Sequence, residues 1–278
     1  MTFGFGPDFY AAKQGELYDE RTGQPLWVAA VFVLVLYLIL TLLQTVIGLL
    51  FIPLVGGPAV SFTDPASLQG ALVKATIVGL LPSSLIAAFV CWKFSLVKNA
   101  TGVRGLPLHI PNLGVAGWFV IVVGLLVSLW AVFNLTFVVL GIDPATYAPT
   151  KDGINDVNSS AGIVEKVLAD LSDEPLLFAL ALPGVTLAVP IVEEFVFRGA
   201  LFSALRASWF GKTGAVVFTA AAWALVHGMA APWLFVFIIF IMGLALGWLL
   251  LRFGSLAVTI VGHACWNAFS SLAIFSGQ

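Results

Sequence analysis

Residues 176–205, LLFALALPGVTLAVPIVEEFVFRGALFSAL, decide the fold. Across this whole run only Glu193, Glu194 and Arg198 carry a charge. A helix needs about 20 consecutive apolar residues to cross the hydrocarbon core of a bilayer, and this stretch exceeds that. Pro183, Gly184 and Pro190 within it predict a kink or a division into two half-helices. Such breaks are tolerated in lipid where neighbouring helices take up the freed backbone groups.

Similar apolar runs lie on both sides. Residues 27–52, 71–94 and 113–140 precede it, and residues 213–227, 233–251 and 256–274 follow it. The expected fold is all-α, a polytopic transmembrane helical bundle of about seven spans, or eight if the fourth is split. The composition agrees. The chain of 278 residues is 60% hydrophobic and 9% charged, against about 25% charged in soluble domains, and its mean hydropathy is +1.07. Most of its surface must therefore meet membrane lipids. With a net charge of −2 and no basic stripe, a nucleic-acid partner is excluded. Cys91 and Cys265 lie in apolar stretches and read as small core residues rather than a disulfide or metal pair.

The connections differ in character. Residues 1–26 are polar and mixed in charge, unlike a signal peptide, and read as a cytoplasmic segment. Residues 27–141 hold three spans. Residues 142–175 form an acidic extracytoplasmic loop, in which Ile163, Val164, Val167, Leu168 and Leu171 have helical spacing and predict a short amphipathic helix at the membrane surface. Residues 176–278 form the membrane core that carries the site. With the N-terminus in the cytoplasm, Lys13, Arg21, Lys93, Lys98, Arg104, Arg206, Lys212 and Arg252 fall on the inner side. Lys74, Lys151 and Lys166 fall on the outer side. This bias is the one that orients membrane proteins, and it places the C-terminus outside the cell's inner membrane. Lys74 is expected to snorkel to the interface, and His109, in the loop LPLHIPN, to be solvated.

Ionisable groups at membrane depth are costly and usually functional. Besides the three in the fourth run they are few: His227 ends the fifth, and His263 lies in the seventh with Asn267 four residues on. Measured along the helices from the basic residues at their cytoplasmic ends, Glu193, His227 and His263 lie roughly 20, 22 and 16 Å deep. Three helices thus bring their polar groups to one level. Glu194 and Arg198 share a helix face and can pair. Glu193, about 100° away at 3.6 residues per turn, can face the histidines. A carboxylate so placed suits a general base acting on water. His263 and Asn267 could stabilise an oxyanion, and His227 could orient the water, share its proton or ligate a metal. No HExxH, GxSxG or GxxxxGK[ST] motif is present, which argues against a zincin, a serine hydrolase of that type and a P-loop ATPase.

Glu193-Glu194-x-x-x-Arg198, an aromatic residue four before His227, and His263-x-x-x-Asn267 together resemble the CAAX-protease and bacteriocin-processing (CPBP) family of intramembrane endopeptidases, CAAX prenyl protease 2-like. The resemblance implies cleavage of a peptide or membrane-protein substrate within the membrane. Glu193 then corresponds to the water-activating glutamate, His227 to the histidine assisting it, and His263 and Asn267 to the oxyanion pair, with Glu194 and Arg198 in support. Where the family has Phe, this chain has Trp223, which implies an altered cavity shape. The family is described both as metal-independent glutamate proteases and as metalloproteases. In the second description Glu193, His227 and His263 would hold a divalent metal such as zinc, but their spacing is not diagnostic. A non-catalytic membrane scaffold or partner-binding subunit retaining the fold is the alternative reading. A carrier using the same carboxylates as a relay is a third. Oligomeric state and substrate are not legible.

Overall fold

The computed structural model describes residues 3–19, 25–56, 63–95, 105–149, 161–228 and 232–276. Arg21, Lys98, Arg104 and Lys151, four of the basic residues behind the orientation argument, lie outside them. Twelve α-helices follow one another among the described residues: α1 (Pro7–Gln14), α2 (Leu26–Gly56), α3 (Pro65–Val78), α4 (Leu80–Ser95), α5 (Gly114–Leu140), α6 (Ile163–Leu171), α7 (Pro175–Pro183), α8 (Val189–Glu193), α9 (Phe202–Arg206), α10 (Gly211–His227), α11 (Trp233–Phe253) and α12 (Leu256–Ser276).

Among the described residues, five helices are long and apolar enough to cross a membrane: α2, α5, the rod Pro175–Arg206, α11 and α12. The chain is an integral membrane protein. The second predicted run, residues 71–94, proves to be α3 and α4, bent by 54° where Gly79 separates them, and counts as a sixth span if taken together. At 17 residues α10 sits at the lower limit for a span and is not among the five. The lipid-facing side is plain on α2, where Leu34, Leu38, Leu42, Leu49 and Leu50 stay exposed. A soluble protein would not leave so continuous an apolar face in water.

The fourth run, expected to be kinked or divided, is continuous from Pro175 to Arg206. α7, α8 and α9 are joined into one rod by two π-helical stretches, Gly184–Ala188 and Glu194–Leu201. Wider turns accommodate Pro190 without breaking the helix, and the rod is one candidate span of 32 residues. At Gly184 the rod lies directly against α4, since a Cβ there would come within 2.8 Å of the Leu81 nitrogen.

Close approach of backbones also fixes α10 on α11. Gly243 and Gly247 stand four apart on α11. A Cβ on the first would lie 2.8 Å from the Ala220 Cβ, and one on the second 3.3 Å from Val216. Lipid offers no hydrophobic drive for helices to associate, so such small-residue contacts supply the packing.

The N-terminal segment, polar and mixed in charge, is tied to the bundle. α1 docks on the ends of α5 and α11: the Gly6 N–H donates to the Leu113 carbonyl (2.6 Å), the Asp8 carboxylate accepts from the Asn112 N–H (2.6 Å), and the Tyr18 N–H donates to the Leu251 carbonyl (3.2 Å). α6 is amphipathic as expected, but its apolar face is sealed inside the protein. Val167, Leu168 and Leu171 are buried in one cluster with Ile77, Val78, Leu177 and Ala181. Lys74 does not snorkel; it pairs with Asp170 of α6 and lies 4.0 Å from Glu174, tying α3 to the loop helix. Cys91 is a buried free thiol, Cys265 is half-buried and free, and His109 is exposed.

Candidate active site

The rod, α10 and α12 bring Glu193, His227 and His263 together. Oε1 of Glu193 lies 3.7 Å from Nε2 of His227, and its Oε2 lies 3.8 Å from Nε2 of His263. Both separations exceed a direct hydrogen bond and suit a small molecule between the groups. The direct partner of Glu193 is Trp223, whose indole N–H donates to Oε2 at 2.7 Å.

Glu194 and Arg198 are fully buried and paired, with 3.0 Å between Oε1 and Nη1. The same Oε1 accepts from Nδ1 of His263 at 3.0 Å. Because a carboxylate only accepts, Nδ1 of His263 must carry its proton, and Nε2 is the atom turned toward Glu193. His227 is fixed in a similar way. Its Nδ1 lies 2.8 Å from the Trp223 carbonyl, so this nitrogen is the donor and Nε2 faces the site.

Trp223 therefore occupies the centre. It is buried, its ring carries the Arg198 guanidinium at 4.3 Å, and its edges meet the imidazoles of His227 and His263 at 5.3 and 5.1 Å between ring centres. Stacking on the indole gives the guanidinium a partner where its Nε and Nη2 have no hydrogen bond. The sequence suggested only a change of cavity shape at this position. The structure adds a hydrogen bond to Glu193 that a phenylalanine cannot make.

Asn267 is in the same neighbourhood, and one of its amide hydrogens is already committed. Its Nδ2 donates to the Val185 carbonyl at 3.0 Å. In the π-helical stretch the Val189 N–H bonds to the Gly184 carbonyl, and the next residue, Pro190, has no N–H to offer Val185. The carbonyl orphaned by the proline is satisfied from α12.

Glu193, Trp223, His227, His263 and Asn267 line one cavity of about 510 Å³, with apolar walls that include Trp130, Phe133 and Phe235. Glu165 of α6 also lines it, and sequence reading missed it. The carboxylate caps its own helix: it bonds a backbone N–H and lies against Gly162, where any side chain would overlap it. Burial pushes the Glu165 carboxyl above the usual carboxylate range, while that backbone bond and nearby His227 work in the opposite direction. The signal available in the sequence was only a carboxylate in the first turn of an amphipathic helix, which reads as a solvated cap. Among the described residues, no group of three or more His, Cys, Asp or Glu side chains is arranged to hold a metal ion.

Residues 175–269 match a known family, the type II CAAX prenyl endopeptidase Rce1-like family. No curated protein and no solved structure gives a significant match to the chain. The matched segment runs from the first residue of α7 into α12 and contains Glu193, Glu194, Arg198, Trp223, His227, His263 and Asn267. Over this segment the chain is similar to the type II CAAX prenyl endopeptidase Rce1-like family.

Proposed function

We propose that the protein is an intramembrane endopeptidase that hydrolyses a peptide bond of a membrane-associated substrate, with Glu193 as general base. The observation that carries this reading is the setting of Glu193. One carboxylate is fixed by an indole N–H and faced by two imidazole nitrogens at 3.7 and 3.8 Å, inside a cavity whose walls are mostly apolar.

A water between Glu193 and His227 gives its proton to Glu193, and the hydroxyl attacks the scissile carbonyl carbon. His227 aligns that water through Nε2, its ring held by the bond from Nδ1 to the Trp223 carbonyl. The developing oxyanion is met by His263 and Asn267. His263 can donate to it only as imidazolium, because Nδ1–H is engaged by Glu194. In that state Glu193 and Glu194 balance Arg198 and His263, so the buried site carries no net charge. Asn267 contributes the amide hydrogen not used on Val185. When the C–N bond breaks, Glu193 returns its proton to the leaving amine. Apolar walls exclude bulk water and strengthen each of these interactions. They also suit the lipid-modified C-terminal tail of a protein, the substrate class to which the family's description refers.

The decisive experiment compares wild-type protein with Glu193→Gln in proteoliposomes carrying a farnesylated, fluorogenic CAAX peptide. Cleavage is expected to fall by at least about a thousandfold, as when a general base is lost along with its charge, while the thermal transition stays in place. Cleavage at the wild-type rate by the variant would remove Glu193 from the mechanism.

A further inference from the structure

A second cavity, of about 400 Å³, lies between α5 and α11 at the basic end of α11, with α1 as its floor, whereas the catalytic cavity is lined by Phe235, Ile238, Ile239 and Met242 of that helix. Its walls are Phe9, Ile121, Leu125, Leu249 and Phe253, and Lys13 and Arg252 form its rim. From Ala245 to Phe253 it runs roughly 12 Å along α11 by helical rise, enough to hold the upper part of an acyl chain. Gly124 opens into it: a Cβ there would meet nothing within 4 Å.

The rim is cationic and unneutralised. Among the described residues Arg252 donates only to the Lys13 carbonyl (3.3 Å) and lies 5.8 Å from the Trp248 ring, and neither it nor Lys13 has a carboxylate partner. The nearest acidic side chains on this segment are occupied, Asp8 by the Asn112 N–H and Glu16 by Lys212. Exposed Trp248 beside them marks the depth at which tryptophans gather at the membrane interface. Two unpaired cations at that depth, opening on an apolar slot that continues into the membrane, complement one ligand on both counts.

From this we infer that the α1–α5–α11 cleft binds an anionic phospholipid, its phosphate held by Lys13 and Arg252 and one acyl chain lying beside Gly124. The lipid would clamp the N-terminal helix to the bundle, since α1 supplies both the floor and one of the two cations.

The test uses the full chain purified in detergent, with native mass spectrometry and thermal unfolding at increasing concentrations of dioleoyl phosphatidylglycerol or dioleoyl phosphatidylcholine. Two cations near a lipid surface are expected to favour phosphatidylglycerol by about thirtyfold, and its addition is expected to raise the transition temperature. K13Q/R252Q abolishes that preference. Gly124→Leu, whose Cβ would meet no neighbour within 4 Å and whose branches extend into the slot, weakens retention of both lipids while the charges remain. Equal affinity for the two lipids, or undiminished retention by both variants, overturns the assignment. So does equally tight binding of glycerol phosphate, which would show a phosphate site without a chain. Displacement of the lipid by a prenylated peptide would make the cleft a substrate site and overturn it too.

Discussion

Replacing Trp223 by phenylalanine isolates the one hydrogen bond that distinguishes this site. The ring survives, so the stacking beneath Arg198 and the edge contacts to both histidines are weakened but kept. What vanishes is the N–H on Oε2 of Glu193 at 2.7 Å. A hydrogen bond to a charged group is worth about 1.5–3 kcal/mol, and a carboxylate released from it no longer holds the geometry that attack requires. If that energy is spent on placing Glu193 in the transition state, kcat falls by about tenfold to a hundredfold at 1.4 kcal/mol per decade, with KM little changed. The smaller ring also leaves a void of about 40 Å³, which at ~24 cal/mol per Å³ costs about 1 kcal/mol of stability. Steady-state cleavage of a prenylated fluorogenic peptide in liposomes, paired with thermal unfolding, separates the two effects. A phenylalanine variant with wild-type kcat would refute the reasoning, because the indole N–H would then be a passenger. A rise in KM at constant kcat would also refute it, by moving the role of Trp223 from the carboxylate to the cavity wall.

Two further expectations concern groups near the site. Arg198→Met leaves Glu194 buried with its main counter-charge gone and should destabilise the protein by about 3–5 kcal/mol, whereas E194L/R198M removes both charges and should recover most of that loss. Equal stability of the single and double variants in thermal unfolding would contradict this. Glu165, whose carboxyl is pushed up by burial, binds its proton more tightly folded than unfolded. It contributes no penalty below the ordinary glutamate value of about 4.3, and it costs stability increasingly as pH rises from there through its raised folded value. Glu165→Gln should therefore raise the transition temperature more at pH 7 than at pH 4.5, and parallel pH profiles for the two proteins would show that the carboxylate is not desolvated.

Much of the site was legible because charge is rare in apolar sequence. Glu193, Glu194, Arg198, His227 and His263 stand out against their surroundings, and simple helical rise brings three of them to one depth. The pairing of Glu194 with Arg198 followed from their spacing of four. Features governed by contacts between distant segments were not legible. Pro190 and Gly184 signal a disturbed helix but not its form, because whether a helix breaks or widens depends on what packs beside it, here α4 at Gly184. The bend at Gly79 looks in sequence like any glycine in an apolar run. Glu165 reads as solvated because its helix is amphipathic, and only the burial of that helix against α3 and α7 turns its first turn into the cavity. Trp223 carried an aromatic signal without disclosing which atom mattered.

The bond between Asn267 and the Val185 carbonyl links two sites 82 positions apart in the chain through an atom that is missing. Proline at 190 withdraws a donor, and an amide at 267 supplies one. Each choice answers the other in a single hydrogen bond. A relative with an ordinary residue at 190 would let the rod satisfy its own carbonyl and release both amide hydrogens of Asn267 to the cavity. One that lost the amide while keeping the proline would leave a carbonyl unanswered in the middle of a membrane. The two positions should therefore change together, and that covariation should be strongest where the bilayer offers no water to take either partner's place.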